Sequence, residues 1–182
     1  PSGYPHLGHA KSALTNYMYA KQYNGTFVLR FEDTNPEIIK KEFYDAQLDG
    51  LNWLKIIPDK VYNISDSMNN IYKKAESLIK KGHLYACICS PEKIKQNRRV
   101  GLECKCRKRS SKETLKLWNQ MLKNKHRKGK IIIRLKAGIS NPNTALRDPT
   151  MFRIINKEHP LHKKKYIVWP SYDDLQQLIQ MC

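Results

Sequence analysis

The sequence predicts an α/β fold, in which helices cover a parallel sheet and a basic segment interrupts the regular alternation. Helical and strand-like patterns alternate through the first 82 residues, and polar motifs stand at the ends of two predicted elements. The character of the chain changes after Ser90. With 182 residues, of which 40% are hydrophobic, the chain can bury the core of about one to one and a half domains.

The first predicted elements are a helix and a buried strand. Small and apolar residues recur at helical spacing over residues 10–18. A turn at residues 24–25 then leads into the apolar run 27–31, which predicts a strand. Asn35 followed by Pro36 predicts the N-cap and the first turn of a second helix.

A third helix is predicted to begin near Asp66 or Ser67. It places apolar side chains on one face over residues 71–79 and ends at Gly82, as glycine commonly follows a helix. Residues 83–89 can then be extended.

The segment 91–136 differs from the rest of the chain in charge. It contains 17 Lys and Arg against 3 Asp and Glu, a net charge of +14, whereas the flanking segments carry +2 each. It includes a Lys-rich helical pattern at 113–122 and a strand-like run at 131–135, and a further run follows at 166–169. This density of cations predicts a nucleic-acid partner through phosphate neutralisation. A solvated basic surface in a Lys-rich protein is the alternative.

Hydropathy predicts no membrane association. No run approaches the roughly 20 apolar residues that a membrane-spanning helix needs. We therefore expect a cytoplasmic protein. The first residue is Pro1 rather than Met, and the segment ending at Cys182 has no clear closing element, so we expect an incomplete chain.

The first polar motif, PSGYPHLGH at residues 1–9, runs directly into the first helix. His6 and His9, with the small Gly8 between them, can donate hydrogen bonds to phosphate oxygens beside the positive end of that helix. This pattern suggests a nucleotide site. Two histidines at this spacing can also bind a metal or cap the turn.

The second polar motif, RFEDTNP at residues 30–36, follows the predicted strand. Glu32 and Asp33 therefore lie past the carboxyl end of a strand, where open α/β sheets usually contact ligands. A carboxylate there can hold a substrate ammonium group. For Asp33, capping of the following helix is an equally good interpretation.

Together the two motifs resemble the class I glutamyl- and glutaminyl-tRNA synthetases, whose first signature is His-Ile-Gly-His where this chain has His-Leu-Gly-His at 6–9. The likeness continues through LNWL at 51–54, LRDPTMFR at 146–153 and YIVWPSYD at 166–173. The cysteine pairs and residues 158–170 are more similar to the glutamyl enzymes.

The resemblance implies three parts of the chain. Residues 1–82 would form the first half of a class I synthetase Rossmann fold. Residues 83–171 would form an inserted α+β connective domain that binds the tRNA acceptor end, with a zinc knob at 87–106. Residues 172–182 would begin a truncated or divergent return to the Rossmann domain.

The resemblance also implies an activity and its residues. Glutamate would be activated with ATP and Mg²⁺ to glutamyl-adenylate and transferred to the 3′-terminal adenosine of tRNA-Glu. His6 and His9 would be catalytic, and with Gly8 they would contact ATP. The residues implied for binding L-glutamate are Ser2, Glu32 for its α-ammonium group, and Tyr172. Because the second Rossmann half and its Lys-Met-Ser-Lys-Ser loop are missing, we expect this chain alone to be inactive. Association with other synthetases or accessory factors, through parts outside this chain, is left open.

Two close cysteine pairs form a third candidate site. Four thiolates at this spacing can hold a tetrahedral zinc, although paired C-x-C is less common than C-x-x-C, and buried or free thiols are the alternative. Some members of the resembled family carry a comparable zinc site. The predicted ligands are Cys87, Cys89, Cys104 and Cys106. The basic residues predicted to flank this knob and face the tRNA are Arg98, Arg99, Arg107, Lys108 and Arg109.

Three other functions remain open at this point. Glutaminyl-tRNA synthetase and a glutamate-activating tRNA-modifying enzyme keep the chemistry but change the substrate. A non-enzymatic, zinc-stabilised RNA-binding module explains the basic segment and the cysteines, but leaves the motifs at 6–9 and 30–36 unexplained.

Overall fold

The computed structural model describes residues 1–171, which divide into two compact units. The first unit comprises Pro1–Met68 and Glu158–Lys163. The second comprises Asn69–Lys157 and the described residues from Lys164 onward. The helices are α1 (Leu7–Gln22), α2 (Lys41–Trp53), α3 (Met68–Lys80), α4 (Pro91–Val100) and α5 (Ser111–Leu122), with 3₁₀ turns at Ile64–Ser67, Lys105–Lys108 and Thr144–Leu146. The strands are β1 (Val28–Phe31), β2 (Lys60–Asn63), β3 (Leu84–Cys87), β4 (Ile132–Leu135), β5 (Thr150–Ile154) and β6 (Val168–Pro170).

The first unit contains a parallel pair of strands, as the alternation of helix and strand predicts. β1 and β2 pair in parallel from Val28 opposite Lys60 to Phe31 opposite Asn63, and α2 lies in the connection between them. Phe27, Leu51 and Ile56 form a buried cluster in this unit. At the other end of β1, Phe31 is buried and its ring lies 5.0 Å from that of Tyr44, so the loop that follows the strand starts from a fixed position.

The predicted N-cap of α2 at Asn35 is wrong. α2 begins at Lys41, after an extended Lys40 whose side chain makes no capping hydrogen bond. Asn35 instead organises a single turn, in which its side chain accepts from the N–H of Glu37 and its carbonyl from the N–H of Ile39. Because Ile39 turns into the core, the chain becomes extended at Lys40 before the helix can start.

The second unit contains an antiparallel sheet of four strands in the order β3-β4-β5-β6. Trp118 of α5 is fully buried, and its ring meets Tyr72 of α3 and Phe152 of β5 edge to face, with centroids 5.5 and 5.1 Å apart. Such aromatic pairs add to the energy of area burial. They fix α3 and α5 against the sheet.

Element ends in the second unit follow the sequence signals closely. α3 ends where Gly82 adopts a φ of +79°, a left-handed conformation that glycine adopts without steric cost. α5 begins with a capping box, in which the Ser110 and Glu113 side chains each accept from the other residue's N–H.

The division between compact units comes after Met68, earlier than the predicted domain boundary at residue 82.

Within residues 1–171 no helix combines the length and the apolar character needed to cross a lipid bilayer.

Candidate active site and cysteine cluster

The start of α1 holds the two histidines of the first motif in one arrangement. His6 is the N-cap, and its Nδ1 accepts from the N–H of Gly8 at 3.1 Å. His9 Nδ1 accepts in turn from the N–H of His6 at 3.2 Å. Since each Nδ1 is an acceptor, each neutral ring carries its proton on Nε2. Both side chains are exposed, so two N–H donors are available beside the positive end of a helix.

Gly8 permits this arrangement because it has no side chain. A Cβ at this position would lie 2.9 Å from Cε1 and 3.1 Å from Nδ1 of His6. The ring of His6 would have to move away from any larger residue. The resemblance implies that Gly8 contacts ATP, and the structure shows that Gly8 also allows the close approach of the His6 ring.

A cleft of about 790 Å³ in the first unit is lined by His6 and His9 at the start of α1. Arg30 of β1 and Gly50 of α2 contribute to the same cleft. Ser2 and Glu32 do not line it. The structure therefore brings the two predicted catalytic histidines together in a cleft large enough for a nucleotide.

Glu32 and Asp33 follow β1, and they have different environments. Glu32 is partly exposed, and its carboxylate pairs with Arg30 at 2.8 Å. Asp33 is fully buried. Glu32 is thus the carboxylate that can exchange its partner for a ligand. Tyr172, the third residue predicted for the amino acid, lies outside the described residues.

Asp33 is the centre of a buried hydrogen-bond network. Its carboxylate accepts from the Tyr44 hydroxyl at 2.8 Å, and from the hydroxyl and N–H of Ser65 at 2.7 and 2.8 Å. Its carbonyl oxygen lies 2.9 Å from His159 Nε2. The alternative interpretation of Asp33 as a helix cap is wrong, because the following helix begins at Lys41 and its N-cap is Lys40. The contacts of Asp33 instead hold the loop after β1.

His159 reaches Asp33 from a hairpin far along the chain. The hairpin is closed by two backbone hydrogen bonds between His159 and Lys163. His159 Nδ1 accepts from the N–H groups of Leu161 and His162, so Nε2 carries the proton and donates to Asp33. Burial lowers the pKa of His159, which favours this neutral form. Sequence analysis missed this residue, since only its position in the fold gives it a partner.

The four predicted zinc ligands meet in the second unit. Their sulfur atoms all lie within 4.8 Å of one another, and the pairs Cys87–Cys104 and Cys89–Cys106 are each 3.9 Å apart. Four thiolates at about 2.3 Å from a tetrahedral zinc lie about 3.8 Å apart. The residues present therefore fit zinc, and two disulfides would require the sulfurs to approach to about 2.05 Å.

Binding of a metal to these thiols would release protons. Burial raises the pKa of Cys87 to about 12 and also raises that of Cys89. The pKa of Cys106 is lowered: burial acts in the opposite direction, but hydrogen bonds from the Ile88 backbone and Arg109 outweigh it. Metal affinity should consequently fall as pH falls, because bound thiolates must first lose their protons.

Some of the basic residues around the cluster are held by hydrogen bonds or ion pairs, and others are exposed. Arg107 pairs with Asp148 at 2.7 Å and with Glu103 at 2.8 Å. Arg98 donates to the carbonyl of Thr144 at 2.9 Å. Arg109 donates to Cys106 Sγ. The remaining two residues predicted to contact tRNA, Arg99 and Lys108, are exposed.

Asp148 explains why Arg107 is engaged. It is fully buried, and its carboxylate accepts from Arg107 Nε at 2.7 Å, from the Tyr85 hydroxyl at 3.1 Å and from the N–H of Gly138 at 3.0 Å. Arg107 belongs to the 3₁₀ turn that carries Cys106. Asp148 therefore holds one half of the cysteine cluster to the sheet.

Comparison with protein families gives one match over nearly the whole chain. Residues 1–178 match the model described as tRNA synthetases class I (E and Q), catalytic domain.

Archaeal proteins give similar matches. The chain is 44% identical over 173 residues to the glutamate–tRNA ligase of Nitrosopumilus maritimus, and 42% over 176 residues to that of Pyrococcus horikoshii. It is 39% identical over 173 residues to that of Cenarchaeum symbiosum. Each match covers 95% of this chain but only 30% or 31% of the relative. The chain thus spans less than a third of the length of these relatives.

Solved structures show the same fold. A crystal structure of a glutamate tRNA ligase from Elizabethkingia meningosepticum, in complex with its amino acid, matches with a TM-score of 0.68 at 20% identity. A glutamate–tRNA synthetase from Elizabethkingia anophelis matches with a TM-score of 0.61, also at 20% identity. Both matches cover 100% of this chain and 40% of the other. They confirm the predicted fold class.

Proposed function

Because this chain belongs to the class I tRNA synthetases of the E and Q type, as its two N-terminal motifs predicted, we propose that its complete protein is a glutamate–tRNA ligase. It activates L-glutamate with ATP and transfers glutamate to the 3′-terminal adenosine of tRNA-Glu. The observation that carries the proposal is the pair of Nε2–H donors at the start of α1, lining a cleft of about 790 Å³. The identities of 39–44% to glutamate–tRNA ligases support glutamate rather than glutamine.

The histidines act on the phosphates of ATP in this proposal. Negative charge develops on the α-phosphate as the glutamate carboxylate attacks it. His6 and His9 donate from fixed rings beside the positive end of α1, so they stabilise that charge without further reorganisation. Gly8 keeps the ring of His6 in place. Mg²⁺ accompanies the triphosphate.

The amino acid is held by the loop after β1. Glu32 releases Arg30 and binds the α-ammonium group of glutamate instead. Asp33 keeps the loop in position through its hydrogen bonds to Tyr44 and Ser65. Ser2 and Tyr172 complete the amino-acid pocket in this proposal. The released Arg30 remains on the same cleft as the histidines.

The second unit binds the acceptor end of tRNA, and its four clustered cysteines hold a structural zinc. The sulfur distances of 3.9 Å match a closed tetrahedral site. Zinc supplies no reactivity there and fixes the turn at Lys105–Lys108. Exposed Arg99 and Lys108 contact the RNA backbone, whereas Arg107 supports the fold through Asp148.

Binding of a non-hydrolysable glutamyl-adenylate analogue to the complete protein tests the function. We expect tighter binding of the glutamyl than of the glutaminyl analogue. Glu32→Gln should weaken binding by about 10- to 100-fold, the usual cost of a charge-assisted hydrogen bond. Glu42→Gln is the matched control, because Glu42 pairs with Lys40 on the exposed surface. Absence of binding by the wild-type complete protein would overturn the proposed function.

Gly8→Ala should slow ATP-dependent activation by about 100-fold in the complete protein, because misplacing a catalytic group by about 1 Å has an effect of this size. The new Cβ would lie 2.9 Å from the ring of His6 and displace it. Gly25→Ala, at the other end of α1, is the control, since its Cβ would meet only ordinary contacts at 3.6 Å or more. Glutamate-dependent exchange of pyrophosphate into ATP, with tRNA present, measures the rate. Equal rates for the two variants would show that Gly8 does not position His6.

A further inference from the structure

The hairpin at Glu158–Lys163 contacts the segments that follow both strands of the parallel pair. His159 Nε2 lies 2.9 Å from the carbonyl oxygen of Asp33, in the loop after β1. His162 Nε2 lies 3.0 Å from the hydroxyl oxygen of Ser65, in the 3₁₀ turn after β2. Open α/β sheets usually contact ligands at the carboxyl ends of their strands. The hairpin therefore holds the ligand side of this pair of strands.

The Asp33 carbonyl depends on His159. The contacts from Tyr44 and Ser65 reach the carboxylate of Asp33 and fix its side chain. The carbonyl is a separate acceptor, and within residues 1–171 no donor other than His159 reaches it. Because Asp33 is fully buried, losing this donor would leave its carbonyl unsatisfied. The peptide after Asp33 would then turn toward another donor or toward water.

The hairpin fixes the direction of this donor. His159 is fully buried, and its Nδ1 accepts from the N–H groups of Leu161 and His162 at 3.1 and 3.2 Å. These two bonds hold the ring by its other nitrogen. The Nε2–H group consequently points at the Asp33 carbonyl without help from a ligand.

The residue next to Asp33 is Glu32, the carboxylate that the proposed function assigns to the ammonium group of the amino acid. Its side chain is partly exposed and pairs with Arg30 at 2.8 Å. Since a side chain reaches its ligand from its own backbone, a turn of the Asp33 peptide would move the carboxylate of Glu32. Small displacements of a binding group have large effects on a site.

We propose that His159 is a positioning residue for the amino acid, because it fixes the backbone from which Glu32 reaches the ammonium group. The inference rests on the proposed function, since it takes Glu32 as the ammonium ligand. It concerns glutamate and not ATP. The hydrogen bonds that hold His6 and His9 lie at the start of α1 and do not involve the hairpin.

Two substitutions separate the two nitrogens of the ring. His159→Asn keeps an acceptor for the N–H groups of the hairpin, as asparagine does in turns, but has no donor that reaches Asp33. His159→Gln carries an amide N–H about as far from the backbone as Nε2, but loses the acceptor. Glutamate-dependent exchange of pyrophosphate into ATP, with tRNA present, compares these variants of the complete protein.

His159→Asn should raise the KM for glutamate by about 10-fold, while kcat and the KM for ATP change by less than about 2-fold. His159→Gln should keep the KM for glutamate within about 3-fold of that of the wild type, because its donor is retained. If both variants raise this KM equally, or if folded His159→Asn does not raise it, His159 does not position Glu32.

Ile56→Ala is the control for lost stability. Ile56 is almost fully buried and packs with Phe27 and Leu51 at the other end of β1. Removing its side chain should lower the melting temperature, measured by circular dichroism, and leave the KM for glutamate unchanged. An increase in this KM equal to that of His159→Asn would show that general destabilisation causes the effect.

A double-mutant cycle tests whether His159 acts through Glu32. In the Glu32→Gln background, His159→Asn should raise the KM for glutamate by less than about 2-fold, since the group that it positions is already changed. A full 10-fold effect in this background would contradict the proposal. Absence of glutamate-dependent exchange by the wild-type complete protein would instead overturn the proposed function.

Discussion

Asp33→Ala is expected to lower the free energy of unfolding by about 3–5 kcal/mol, because removing one member of a buried charged network leaves several groups without partners. The Tyr44 hydroxyl and the N–H and hydroxyl of Ser65 would lose their acceptor. Urea denaturation of the chain measures the change. Hydrogen exchange should also accelerate locally in β1 and in the segment Glu158–Lys163, which contacts the same loop.

Asp49→Ala is the control for this experiment, because Asp49 is exposed on α2. Exposed substitutions of this kind usually change stability by less than about 0.5 kcal/mol. If the two variants unfold at the same urea concentration, Asp33 does not hold the loop. Local exchange that is unchanged at Glu158–Lys163 would contradict the link to His159.

Cys104→Ser is expected to remove the zinc and unfold the segment that carries the cluster. Zinc binding contributes on the order of 10 kcal/mol to folding in small zinc domains, so the loss should exceed that of a single packing defect. Metal analysis should fall from one zinc per chain to almost none. Affinity for zinc in the wild-type chain should also decrease as pH falls, since the pKa of Cys87 is raised to about 12 and its proton competes with the metal.

Cys182→Ser is the matched control, since Cys182 is the remaining cysteine of the sequence. It should retain one zinc per chain. The prediction is wrong if the wild-type chain, purified under reducing conditions, contains no metal and its melting temperature changes with neither zinc nor a chelator. The cysteines would then be buried thiols.

Local signals made much of the fold predictable. The apolar pattern before Gly82 predicted α3 and its end, because an amphipathic face and a left-handed glycine are both local properties. The two C-x-C pairs predicted a cluster whose sulfur atoms the structure brings within 4.8 Å. The first motif likewise predicted histidines beside a helix start.

Long-range contacts set the limit of prediction. The sequence pattern did not identify β5 as a strand, although Arg153 lies there between apolar residues. Its extended conformation depends on pairing with β4 and β6. The role of Asp33 depends on Ser65 and His159, which lie 32 and 126 positions away. The one available signal was that a carboxylate directly after a buried strand needs partners.

The segment Glu158–Lys163 belongs to the first unit although both of its flanks belong to the second. The polypeptide consequently passes between the units three times within the described residues: after Met68, before Glu158 and after Lys163. Neither unit is a contiguous module that could be excised, transplanted or exchanged between proteins by a single cut and splice. A chimera that replaced residues 69–171 as one block would also remove His159 and leave the Asp33 carbonyl without its donor. Recombination would therefore have to preserve this hairpin, so the two units are expected to be inherited together.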